Sequence, residues 1–150
     1  MSMSQENQAK LCQAFPGLYR QFASPEDLTD MTRFGLECGD GWLDLLRGLS
    51  ADLDDLARTE GLTPQHPDYP VITQVKEKFG VLRVYLLHST QAMRERIEQA
   101  TQASAAVCEI CGAPGTLLSP GWCRTRCDSC RAEEDELLRA RLAQRAGYPG

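Results

Sequence analysis

The spacing of apolar side chains divides the chain into a few well-marked pieces. Trp42, Leu45, Leu46, Leu49, Leu53, Leu56 and Ala57 recur at the three-and-four interval that places them on one face of an α-helix. Asp40 stands where it can cap that helix, and Gly61 where it can end it in the left-handed conformation. Asp44, Asp52, Asp54 and Asp55 fall on the opposite, polar face. Upstream, residues 5–14 predict a short helix stopped by Pro16-Gly17. Ser24-Pro25-Glu26-Asp27 starts another, ending before Gly35. It has a capping serine, proline at the first helical position and acids at the positive end of the dipole.

The pattern changes after Pro64, Pro67 and Pro70. Val71, Val75, Val81, Val84 and Tyr85 favour extended backbone and Gly80 offers a turn, which predicts a hairpin with strands over 71–78 and 81–87. A helix through Lys76 is the alternative, because Thr73–Phe79 does not alternate strictly. Ser89 then caps a helix whose stripe is Met93, Ile97, Ala100, Ser104 and Val107, running straight into Cys108. A last helix spans Arg131 to about Arg145, with Leu137, Leu138 and Leu142 on one side. Its acids precede its arginines, as the helix dipole favours.

At 150 residues, 42% hydrophobic and 25% charged, the chain has the composition of an ordinary globular protein. No apolar run is long enough to cross a bilayer, and MSMSQENQAK lacks the apolar core of an export signal. No membrane partner is expected, and the expected location is cytoplasmic. No repeat or biased linker divides the chain, so one compact unit is expected. Within it, 1–107 is a helical and hairpin region, 108–130 a metal module and 131–150 a terminal helix.

Charge narrows the choice of partner. The formal net charge of −5 arises entirely before residue 89, and the stretch 26–60 holds three basic against ten acidic residues. Such a surface attracts basic proteins and repels phosphate backbones.

The chemistry lies in the cysteines. Cys108-Glu-Ile-Cys111 and Cys127-Asp-Ser-Cys130 are two Cys-x-x-Cys pairs separated by fifteen residues. Each pair delivers two sulfurs from one backbone knuckle, and two knuckles close a tetrahedral Cys₄ site for structural Zn²⁺. Gly112, Gly115, Pro120 and Gly121 supply turns for a short intervening hairpin, giving a zinc ribbon. A redox role would need a thioredoxin-like context, and catalytic zinc an open ligand position. Cys123 interrupts the pairing and reads as a free or packing thiol, with exchange into the ligand set as the alternative. Cys12 and Cys38 read as ordinary thiols, and His66 and His88 as bystanders. Glu37, Asp40 and Asp44 gather near a glycine turn without a partner base, so no catalytic residues are assigned.

Glu37-Cys38-Gly39-Asp40-Gly41-Trp42, then Gln74 to Tyr85 (QVKEKFGVLRVY), then Cys108-Glu-Ile-Cys111-Gly, Gly121-Trp122 and Cys127-Asp-Ser-Cys130 form an ordered set of blocks. Together they resemble a family of small bacterial and phage-associated proteins over residues 37–130. The resemblance implies a bacterial origin and bound zinc, and it names no reaction. In that pattern the position of Cys123 is usually not cysteine.

The expected fold is therefore α+β: helices packed around a small hairpin, with a Cys₄ zinc ribbon between helices. The expected function is non-catalytic binding of another protein. In its sharpest form this is an immunity- or antitoxin-like protein that masks a basic partner through Asp44, Asp52, Asp54 and Asp55. The rival is a nucleic-acid-binding zinc-ribbon regulator of bacterial or phage origin using Lys76, Lys78 and Arg83, with Phe79 and Tyr85 available for stacking. Against it, a hairpin alternates its faces, and both aromatics suit a core. Trp42 reads as an anchor at a helix start and Trp122 as a cover for the ribbon.

Overall fold

The computed structural model describes residues 1–23 and 35–147, and the helix expected from Ser24 lies outside them. The fold is α+β. In chain order the elements are α1 (Gln5–Ala14), α2 (Arg20–Ala23), a 3₁₀ turn (Asp40–Trp42), α3 (Leu43–Thr59), β1 (Val71–Lys78), β2 (Val81–Leu87), α4 (Gln91–Ser104), β3 (Thr116–Leu118), β4 (Arg124–Arg126) and α5 (Asp128–Ala146). β1 pairs with β2 and β3 with β4, each antiparallel.

The amphipathic stripe of α3 makes the core. Leu46, Leu49, Leu53 and Ala57 are fully buried beside Trp42 and meet Met93 and Ala100 of α4 and Val75, Leu82 and Val84 of the hairpin. At the end of α3, Gly61 adopts φ 76°. The reversal lets the amide of Leu62 reach the carbonyl of Ala57 at 3.1 Å.

Two caps differ from expectation. Asp40 does not cap α3. Its Oδ1 accepts from the amide of Ser4 and from Asn7 Nδ2, both at 2.9 Å, which ties the start of α1 to the loop before α3. A turn of 3₁₀ helix separates Asp40 from α3, so its side chain is too far back to serve that helix. At α4 the capping acceptor is Thr90, which receives the amide of Met93 at 3.2 Å, while Ser89 accepts from Arg94.

In the β1–β2 hairpin, Lys78 faces Val81 across a two-residue turn with Phe79 at φ 53° and Gly80 at φ 86°. Two positive φ angles in succession match the right-handed twist of the strands. Phe79 is therefore not a core residue: it occupies the turn and is 69% exposed. Tyr85 also points outward. It faces Gln74, next along from the Lys76–Arg83 pair, so Lys76, Lys78 and Arg83 all lie on one face of the hairpin with it. The buried Val75–Val84 pair lies on the other. The alternation expected to separate the basic residues instead gathers them.

Candidate metal centre

The segment that leaves α4 turns at once into a knuckle. The amide of Cys108 donates to Ala113 at 2.8 Å and that of Gly112 to Cys108 at 2.9 Å, with Gly112 at φ 80° to close the loop. The second knuckle is the start of α5, whose capping group is the Cys127 sulfur accepting the amide of Cys130 at 3.4 Å. That cap is why α5 begins at Asp128 rather than at the expected Arg131. Strands β3 and β4 form the short hairpin between the knuckles.

The sulfurs of Cys108, Cys111, Cys127 and Cys130 all lie within 4.8 Å of one another, and those of Cys111 and Cys127 are 3.6 Å apart. A disulfide needs about 2 Å. Bonds of about 2.3 Å from a central ion set tetrahedral sulfurs about 3.8 Å apart, so the cluster has the dimensions of a four-thiolate metal cage. All seven cysteines are free. At Cys108, burial opposes ionisation, but the amides of Cys111, Cys127 and Ile110 outweigh it and bring the thiol down to about 7. Cys130 is pushed up, by burial first and then by hydrogen bonds with the three other thiols. A cluster with one ready thiolate and one suppressed thiol suits a cation that neutralises all four. The four cysteines can thus coordinate a metal ion.

Cys123 stands outside the cluster, its Sγ 3.7 Å from the carbonyl of Gly121. Cys38 is buried in the main core, and desolvation holds its thiol up at about 12. Cys12 is half-buried and likewise raised.

The first knuckle does not stand alone. Glu109, between two of the thiols, is joined to two other segments, the Gly39–Gly41 loop and β4. Its carbonyl accepts from Gly41 at 2.8 Å, and its amide donates to Thr125 at 3.2 Å. Its carboxylate accepts from the amide of Gly39 at 3.0 Å and from Arg126 Nη1 at 3.4 Å. A Cβ on Gly39 or Gly41 would run into the backbone of Glu109, or of Glu109 and Cys108. These glycines are needed for close approach, since the Gly39–Gly41 loop lies flat on the knuckle. Trp42 follows, fully buried, donating Nε1 to the carbonyl of Val107 at 2.9 Å.

The hairpin turn docks on the other side. Thr125 Oγ1 donates to the carbonyl of Gly80 at 2.7 Å, and a Cβ on Gly80 would strike Leu117. The three sequence blocks therefore converge on one centre, through Gly39–Trp42, through Gly80 and through the cysteine knuckles.

Buried charge locks the centre to α5. Arg126 lies 3.4 Å from Glu109 and 3.0 Å from Glu134, and Arg124 lies 3.1 Å from Glu134. Burial pushes the Glu109 carboxyl up, against the Gly39 amide and the Arg126 guanidinium. Sequence reasoning missed Glu109 and Arg126, because nothing in either residue's neighbourhood along the chain signals that both become buried. Trp122 lies over the β4 strand of the ribbon, with Arg126 5.7 Å from its ring. It is 56% exposed, with the Arg124 guanidinium 4.3 Å above its ring.

The two other predicted surfaces lie elsewhere. Asp44, Asp52 and Asp55 of the polar face of α3 pair with Arg47 at 3.4 Å, Arg96 at 2.6 Å and Arg58 at 3.0 Å. Asp54 accepts from Tyr69 at 2.5 Å, and burial raises its carboxyl. On the outer face of the hairpin, the Lys76 ammonium lies 5.7 Å from the Tyr85 ring and that of Lys78 5.7 Å from the Phe79 ring. No helix among the described residues is long and apolar enough to cross a membrane. Compared with known proteins, the chain matches no family model, no curated protein and no solved structure.

Proposed function

We propose that this is a non-catalytic binding protein, stabilised by zinc, that meets another protein through its surface. Four thiolates fill a tetrahedral zinc site and leave no position for substrate, so the ion's role is structural. The observation that carries the reading is Phe79. A bulky aromatic at φ 53° is strained, and Asn, Asp or Gly is favoured at that turn position. Burial does not offset the strain, since the ring stands in solvent at the junction with the ribbon. An exposed aromatic held at a cost, near the stacked Trp122–Arg124 pair, has the composition of a binding hot spot.

In its sharpest form the protein is a bacterial, cytoplasmic, immunity-like mask for a basic partner, with Asp44, Asp52, Asp54 and Asp55 steering association. The partner must then compete with Arg47, Arg58 and Arg96 for three of those acids. Asparagine at all four positions slows association and flattens its salt dependence. An unchanged on-rate removes α3 from the interface.

The test of the main reading is Phe79→Asn, captured in parallel with the wild type from nuclease-treated extract of the native host. The variant relieves strain, so it melts no lower than the wild type, and it loses the stoichiometric protein partner. Equal recovery of the partner by both proteins defeats the reading, because loss of folding cannot account for that result.

A second reading has its own support. Lys76, Lys78 and Arg83 share one hairpin face with Tyr85, and Arg83 Nε is buried without a hydrogen bond. Basic and aromatic groups on one face suit single-stranded nucleic acid. On this reading binding weakens steeply with salt and with loss of the three cations.

A further inference from the structure

Helix α5 is anchored only at its start. Among the described residues, every position from Glu136 to Gly147 is exposed, including Leu137, Leu138 and Leu142 at 62%, 43% and 63%. Asp135, Leu138, Leu142 and Arg145 follow one another at intervals of three, four and three, which puts them on one stripe of the helix. The intervals read the same from either end, but the charges do not. The stripe opens with an acid and closes with a base.

We infer that α5 pairs antiparallel with α5 of a second copy of this chain. In that alignment Leu138 faces Leu142 of the second copy and Asp135 faces Arg145 of the second copy, and the two-fold axis repeats both contacts. A parallel pair would match the leucines as well but would set Asp135 against Asp135 and Arg145 against Arg145. Charge thus selects both the occupant and its direction. Asp135 already has Arg124 and Arg131 of its own chain at 3.9 and 4.0 Å, both long for ion pairs, so Arg145 of the second copy competes with two weak partners. The stripe shares no residue with Phe79 or the α3 acids, so the inference does not rest on the function proposed above.

The stripe spans about 15 Å of helix, so the dimer is weak. Sedimentation equilibrium of the full, metal-loaded chain from about 1 to about 200 μM tests it. The mass rises from one chain to two across that range. Asp135→Arg or Arg145→Asp alone weakens the association about tenfold, and the double exchange restores it. Circular dichroism and metal content stay constant in Arg145→Asp and in the leucine variants, because these positions are exposed and pack on nothing among the described residues. A monomer at every concentration overturns the inference and leaves the stripe to a different protein. So does a dimer that survives Leu138→Lys with Leu142→Lys, or a double exchange that fails to restore it.

Discussion

The amide of Gly41 and the carbonyl of Glu109 are 2.8 Å apart, joining the loop before α3 to the cysteine knuckle with no side chain between them. Because backbone meets backbone there, the contact tolerates no Cβ. Gly41→Ala must push the knuckle away from Trp42 and is expected to cost about 3 kcal/mol or more. Gly48→Ala makes the comparison: its Cβ meets only the end of Arg96 at 4.0 Å, on an exposed turn of α3. That change should stabilise by about 0.5–1 kcal/mol through reduced backbone entropy in the unfolded chain. Thermal unfolding of the two variants should shift in opposite directions.

Metal removal should act at a distance from the thiols. Stripping the ion leaves four close sulfurs without a counter-charge, and the knuckle holds Trp42 through the Val107 carbonyl. Chelation, or serine at Cys108 or Cys130, is expected to cost about 3 kcal/mol or more and to expose Trp42. Tryptophan emission and metal content measured together check this. Emission that stays fixed as metal is lost would detach the centre from the core.

Thr125 joins the ribbon to the hairpin. Valine there keeps the shape but leaves the buried Gly80 carbonyl without its donor, a loss of about 1–3 kcal/mol. Amide exchange at the 78–81 turn should quicken in Thr125→Val and not in Thr73→Val, whose hydroxyl contact is exposed.

Asp40 sets an acid limit on α1. The Ser4 amide holds its carboxyl below the ordinary 3.8; desolvation opposes it, and the Asn7 and Ser4 side chains add to the lowering. A group with a depressed folded-state pKa stabilises above its unfolded value and loses that contribution as pH falls through the folded one. Amide exchange in α1 should therefore rise below about pH 4, and Asp40→Asn should flatten that rise. The site is solvent-exposed, so the effect is about 1 kcal/mol or less.

Local signals were readable wherever local physics decides the outcome. The stripe of α3, the turn after Lys78 and the paired cysteines each depend on residues close in sequence, and each lies where spacing placed it. Glycines 39 and 41 read only as a turn, because the neighbour that requires them, Glu109, is remote along the chain. Phe79 reads as core because an aromatic between strands normally is; only the two-residue turn reveals its exposure. Asp40 reads as a cap for the nearer helix, whereas its partners Ser4 and Asn7 lie more than thirty positions away along the chain. Glu109 and Arg126 had no local signature, since a buried ion pair is defined by what surrounds it.

The Gly39–Glu109 contact spans 70 positions of chain. Helices and the β1–β2 hairpin can form from neighbours, but that contact must wait until the two ends of a long loop find each other. The ribbon's docking is thus expected to come late in folding. Until it occurs, Trp42 has no lid and the knuckle no floor, so a metal ion captured early would act on a chain still open at its centre.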